Sequence, residues 1–107
     1  MRWDDDGMVV VRADLCEHLD RLQSAAERLT VRDMVQGLGQ IRTMAAAYGL
    51  APVVILADAL ERAIRAEPRG CPAALYFDRL RDAIGCRRVD AAAGEALLAS
   101  VSVRFGT

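Results

Sequence analysis

Side chains suited to covalent chemistry are few in this 107-residue chain. All 14 basic residues are arginine, so no side-chain amine can form a Schiff base. The one imidazole, His18, is followed by Arg21 and Ser24 at helical spacing. We expect a histidine at the edge of the core, hydrogen-bonded to a neighbouring helix; the alternative is an imidazole that accepts a phosphoryl group.

The three cysteines, Cys16, Cys71 and Cys86, form no C-x-x-C pair and are odd in number. A structural zinc site needs four ligands, usually at short spacing, and His18 has no such neighbours. We therefore expect free, packed thiols, no bound metal and a reducing, cytoplasmic location. The acidic start of the chain has no apolar core of the kind found in signal peptides.

Acidic residues give no catalytic assignment either. The run from Asp4 to Asp6 has the oxygen ligands for a hard cation, but three adjacent acids near a terminus are more typical of a solvated tail. The sequence contains no phosphate-binding loop, dinucleotide fingerprint or serine-hydrolase motif. We expect a protein that is not an enzyme and that binds no cofactor.

Composition restricts the class of partner. Apolar residues make up 53% and charged residues 27%, which indicates a globular domain rather than a disordered chain. The net charge of −1 provides no basic field for nucleic acid or anionic lipid. No uninterrupted apolar run reaches the roughly 18 residues that a membrane span requires.

Helical spacing runs through almost the whole chain, because apolar residues recur at steps of three and four. Thr30 with Asp33 predicts the start of one helix, and Gly49 predicts its end. Pro52 and Asp90 predict the starts of two further helices. Five helices are predicted, over residues 12–29, 30–49, 52–66, 72–85 and 90–101, capping residues included. The stretch 8–11 is β-branched and is predicted to be an arm or a distorted lead-in.

Short connections favour antiparallel neighbours, and each helix has one narrow apolar stripe that cannot be buried alone. The predicted fold is therefore all-α, an up-and-down four-helix bundle with an additional short C-terminal helix, in a single domain over residues 1–107. Residues 1–8 are expected to be flexible. The predicted core stripes are Leu15, Leu19, Leu22, Ala26 and Leu29; Met34, Leu38, Ile41, Ala45 and Tyr48; Val53, Leu56, Leu60 and Ala63 or Ile64; and Ala73, Phe77, Leu80 and Ile84.

The outer side of the second helix is unusually neutral, since Arg42 is the only charged residue between Asp33 and Asp58. A mid-helix glycine such as Gly39 costs about 1 kcal/mol relative to alanine, so its presence suggests that something packs closely there. Three kinds of partner could pack against this side of the helix: the C-terminal segment, a second copy of the chain in a homodimer, or another protein. We define the docking face as seven candidate partner-binding residues: Arg32, Gln36, Gly39, Gln40, Arg42, Thr43 and Ala46.

Residues 39–52 and 56–61 resemble the centre of a histidine-containing phosphotransfer (HPt) domain. The family pattern is H-x-x-K-G-x-(A/S)-x-x-x-G, followed by Leu and by Leu-Glu at helical spacing. The matched positions are Arg42 for the lysine, Ala45 for the small core residue, Gly49 for the helix-ending glycine, and Leu60 with Glu61 for the Leu-Glu pair. The resemblance covers mainly residues 30–66 and implies a four-helix bundle of two-component signalling.

The chain departs from the family at the reacting position. Gly39 stands where the phospho-accepting histidine belongs, and Thr43 replaces the family's glycine. The resemblance therefore implies a pseudo-HPt protein that docks a response-regulator receiver domain or a histidine kinase without passing phosphate on. Arg42 would then meet an acidic receiver pocket. The alternatives are phosphotransfer through His18 and a purely structural, dimerising bundle.

Overall fold

The computed structural model describes residues 5–104, with side chains described for residues 7–101. Within these residues the chain is all-α, with five helices and no strand. They are α1 (Asp5–Ala25), α2 (Val31–Ala47), α3 (Ala51–Ala66), α4 (Ala73–Gly85) and α5 (Ala91–Arg104). The predicted fold class, a helical bundle with an additional C-terminal helix, is confirmed. No helix in the described part of the chain is both long enough and apolar enough to cross a membrane.

Local signals in the sequence set the helix ends. The Thr30 hydroxyl accepts a hydrogen bond from the Asp33 amide at 3.1 Å and so caps α2. Gly49 follows α2 with a φ of +73°, the left-handed conformation that glycine adopts without a Cβ penalty. Pro52 lies in the first turn of α3, where its missing N–H leaves no bond unmade. Asp90 precedes α5 and accepts a hydrogen bond from the Ala93 amide at 2.8 Å.

The predicted bounds of the first helix, 12–29, were wrong. α1 begins seven residues earlier, so residues 8–11 are helical despite their β-branched side chains. Val11 is buried and extends the stripe of Leu15, Leu19 and Leu22 by one turn, and this packing outweighs the weak helix propensity of valine. Of the segment expected to be flexible, residues 5–8 belong to α1 and residues 1–4 lie outside the described residues.

The C-terminal end of α1 comes early because its hydrogen bonding tightens. The Arg28 amide bonds to the Ala25 carbonyl at 2.9 Å and the Ala26 amide to the Gln23 carbonyl at 3.2 Å, both across three residues. Ala26 and Leu29 therefore lie in the turn, half-buried against the core rather than on the helix.

The helices pack around α3, which contacts α2, α4 and α5, while α1 closes the bundle between α2 and α4. Most residues of the predicted stripes of the middle helices are buried: Met34, Leu38, Ile41 and Ala45; Val53, Leu56, Leu60 and Ile64; and Phe77, Leu80 and Ile84. Tyr48 and Ala73, which were also predicted, are half-buried against this core. α5 is longer than predicted and is a structural part of the molecule. It packs on α3 and α4, and Gly94 permits the approach, because a Cβ there would lie 2.8 Å from the Pro52 Cα.

Candidate functional site

The docking face lies on the side of α2 that is turned away from the core. Arg32, Gln36, Gln40, Thr43 and Ala46 are exposed, while Gly39 and Arg42 are half-buried. α5 packs on α3 and α4 and not along α2, so no described part of the C-terminal segment covers the face. The structure therefore brings all seven predicted residues together on one open surface.

Gly39 has no packing role in the described chain. A Cβ built on it would meet no atom of another segment within 4 Å. The helix thus carries a residue that costs about 1 kcal/mol relative to alanine, and no contact within the described residues requires it. Gly39 is half-buried because neighbouring residues of α2 cover part of it, and the space that its side chain would occupy is open.

A second glycine of α2, Gly37, behaves in the opposite way. A Cβ at Gly37 would lie 2.5 Å from Cδ1 of Leu22, so this glycine lets α1 approach α2. Gly39 was predicted to mark a close approach, whereas the packing role of Gly37 was not predicted. The available signal was spacing, because Gly37 stands three residues after Met34 and four before Ile41, at the edge of the core stripe.

Arg42 is held by acidic residues of α3. Its Nη1 lies 3.2 Å from Oδ1 of Asp58 and 3.3 Å from Oε2 of Glu61. The same carboxylates also bind Arg62, at 3.0 Å from Asp58, and Arg65, at 3.1 Å from Glu61. Helical spacing predicts the two i,i+4 pairs within α3, but not the bonds from Arg42, which join residues 16 and 19 positions apart on different helices.

Glu61 makes the network more than a surface feature, since this residue is only 8% exposed. A buried carboxylate needs a nearby cation, and Arg42 and Arg65 provide two. The charge of Arg42 is thereby compensated within the chain. The docking face consequently presents amide, hydroxyl, methyl and bare backbone surface at its centre, with Arg32 as the cation at its N-terminal end.

His18 borders the docking face. It lies half-buried in a groove between α1 and α2, which it lines together with Arg21, Gln36 and Gln40. Since Gln36 and Gln40 also belong to the docking face, the groove and the face are continuous. The predicted hydrogen bond from His18 to a neighbouring helix is absent among the described residues.

The described residues offer neither a cluster of metal ligands nor a reactive thiol pair. They contain no group of three or more histidine, cysteine or acidic side chains placed to hold a metal ion. All three cysteines are half-buried and free. Burial raises the pKa of the Cys71 thiol, which keeps it protonated and unreactive. The side chains of Asp4, Asp5 and Asp6 lie outside the described residues.

An apolar depression continues the docking face at the C-terminal end of α2. It is lined mainly by Ala46, Gly49 and Ala51, by Val54 and Ile55 of α3, and by Ala91 at the start of α5. This depression was not predicted, because it joins residues of three helices.

No family model, no curated protein and no solved structure matches this chain. The HPt resemblance therefore stays a prediction that depends on the residues quoted above.

Proposed function

We propose that this protein is a non-catalytic docking module, a pseudo-HPt bundle of two-component signalling that binds a receiver domain or a histidine kinase through the docking face of α2. The proposal depends on one observation above all: Gly39 occupies an open, uncovered helix face and has no packing partner in the described chain. A residue that weakens its own helix is best explained by a partner whose backbone or bulky side chain approaches there.

The chemistry of the face favours docking over transfer at this position. Glycine has no side chain, and the neighbouring Gln36 and Gln40 carry amides, which are not nucleophiles for a phosphoryl group. A receiver domain placed on this face would find no imidazole at position 39. Arg42, held by Asp58 and Glu61, would offer such a partner only its remaining N–H groups.

The structure supports a sharp test, because the chain contains a matched control glycine. Gly85, at the end of α4, is exposed and, like Gly39, would place a Cβ in open space. We expect Gly39→Arg to weaken binding at least tenfold and Gly85→Arg to leave it unchanged. The measurement is isothermal titration calorimetry of each variant against the receiver domains and histidine kinases of the same organism.

Two results would contradict the proposal. One is the absence of binding to every receiver domain and kinase tested. The other is a Gly39→Arg variant that binds as tightly as the wild type, which would place any interface elsewhere. Circular dichroism spectra of both variants check that the added arginine has not disturbed the helices.

A second candidate function uses His18, and its position favours this candidate. Because its groove is continuous with the docking face, a receiver bound there would bring an aspartyl phosphate close to the imidazole. In the transfer a ring nitrogen would attack phosphorus and form an N–P bond. The P–O bond to the aspartate would break, and the carboxylate would leave with the electron pair.

Phosphotransfer and docking are distinguished by a labelling experiment. The protein is incubated with a receiver domain that carries labelled phosphate, and acid-labile label on this chain is measured. Label that disappears in His18→Ala would support the second candidate. No label, or label that survives in His18→Ala, would eliminate it and leave docking alone.

A further inference from the structure

The first turns of α1 and the loop between α4 and α5 enclose a concavity that the proposed function does not use. Its volume is about 480 Å³, and the described residues that line it are Met8, Val9, Arg12 and Arg87. Pockets of this size hold small organic ligands. None of the lining residues belongs to α2, so the concavity is separate from the docking face.

Arg12 has hydrogen-bonding capacity that the described chain does not satisfy. Its Nη2 donates to the Cys86 carbonyl at 3.0 Å, which fixes the guanidinium at the end of α4. Its Nε is buried and has no hydrogen-bond partner among the described residues. A buried guanidinium N–H without an acceptor is unfavourable, so an acceptor that reached this side chain would be favoured.

Charge distinguishes this pair from neighbouring arginines. Neither Arg12 nor Arg87 forms an ion pair with any side chain described between residues 7 and 101. The other arginines near the end of α4 are compensated: Arg79 by Asp82, Arg81 by Asp20 and Arg88 by Asp90. Two guanidinium groups without a described ion-pair partner thus line one concavity, in a chain whose net charge is −1.

The other two described lining residues are apolar. Met8 and Val9 provide apolar surface, and Val9 is 65% exposed. Both residues lie within the first two turns of α1, where the positive end of the helix dipole favours negative charge. An anion with an apolar substituent fits both features.

We propose that this concavity binds a phosphate monoester, with the phosphate between Arg12 and Arg87 and an apolar substituent against Met8 and Val9. Guanidinium groups bind phosphate through paired, charge-assisted hydrogen bonds. Binding at this site does not depend on the docking face.

The experiment follows the arginine side chains directly. The full-length ¹⁵N-labelled protein is titrated with inorganic phosphate and, separately, with phenyl phosphate at pH 7.5 and constant ionic strength, while NMR records the Arg12 Nε–H signal and the backbone amides of Met8 and Val9. We expect saturable shifts at all three. Phenyl phosphate should bind about fivefold more tightly because its ring covers apolar surface.

The control is another exposed arginine without a described ion-pair partner, Arg69, in the turn between α3 and α4. Arg87→Gln and Arg69→Gln remove the same charge, but only Arg87 lines the concavity. We expect Arg87→Gln to weaken phenyl phosphate binding at least tenfold and Arg69→Gln to leave it unchanged. Since Arg87 is exposed and makes no described hydrogen bond, its substitution should preserve the fold.

Several results would overturn the proposal. They are shifts that do not saturate, equal affinities for phenyl phosphate and inorganic phosphate, or equal weakening by Arg87→Gln and Arg69→Gln.

Discussion

Single residues decide how the outer side of α2 is used. Gly39 has open space above it, whereas Gly37 is pressed against Leu22. The two glycines lie two positions apart in one helix, yet their packing environments differ. Gly37 permits the packing of α1 on α2, and Gly39 has no such explanation within the described chain.

Gly39→Ala should stabilise the protein by about 1 kcal/mol, because alanine has the higher helix propensity and its methyl group meets no other segment. Urea unfolding followed by circular dichroism measures this gain. Gly37→Ala is the comparison, and it should gain less or lose stability, since its Cβ would overlap Leu22. Destabilisation by Gly39→Ala would mean that an unrecognised contact covers this position.

Arg42→Met should destabilise the fold by about 1–2 kcal/mol, because it leaves the buried Glu61 with Arg65 as its remaining described ion-pair partner. Glu61→Gln removes the uncompensated charge. Unfolding free energies of both single variants and the double variant form a cycle, in which the double variant should lose less than the sum of the two losses. Strict additivity would show that Arg42 and Glu61 do not interact.

At the scale of helices, α5 has the largest difference between expectation and structure. It was predicted as a short addition, yet it packs on both α3 and α4 and buries Ala93 and Val101. Two residues make this possible: Gly94, which admits the backbone of α3, and Asp90, which caps the first turn.

Gly94→Ala should destabilise the protein by about 1–3 kcal/mol, despite alanine's better helix propensity. Its Cβ would lie 2.8 Å from the Pro52 Cα, a backbone atom that cannot move aside as a side chain can. Thermal unfolding measures the loss, with Gly85→Ala as the control in open space. An unchanged melting temperature for Gly94→Ala would contradict the close approach of α5 and α3.

The Asp90 cap predicts a pH dependence. The hydrogen bond from the Ala93 amide, followed by that from Arg88, lowers the pKa of the Asp90 carboxyl. A carboxyl whose pKa is lower in the folded state contributes stability above its ordinary pKa and loses it as the pH falls through the folded value. Asp90→Ala should therefore be less stable than the wild type at pH 7, and the difference should shrink below about pH 4. A difference that is constant from pH 7 to pH 2 would exclude a role for the charged carboxylate.

At the scale of the whole molecule, the docking face and the apolar depression beside Val54 and Ile55 form one surface across α2, α3 and the start of α5, which no described residue covers. A homodimer and a signalling partner would compete for it. The docking proposal predicts a monomer at micromolar concentration, measured by sedimentation velocity. A tight dimer that Gly39→Arg dissociates would favour self-association and leave no face for a receiver domain.

The sequence by itself determined the all-α class, most helix ends and most of the core. These features follow from local rules: the spacing of apolar residues, the caps at Thr30 and Asp90, and the end signal at Gly49. It also placed the seven residues of the docking face on one side of a helix, since a helix of known phase fixes which residues share a face.

Only the tertiary structure decided what lies next to those residues. The binding of Arg42 by Asp58 and Glu61, the contact of Gly37 with Leu22, and the approach of Gly94 to Pro52 all join different helices. The same is true of the arginine pair at positions 12 and 87. Helical periodicity sets the rotation of each helix about its own axis, but it does not fix which residues of two helices meet, because that depends on crossing angle and axial shift.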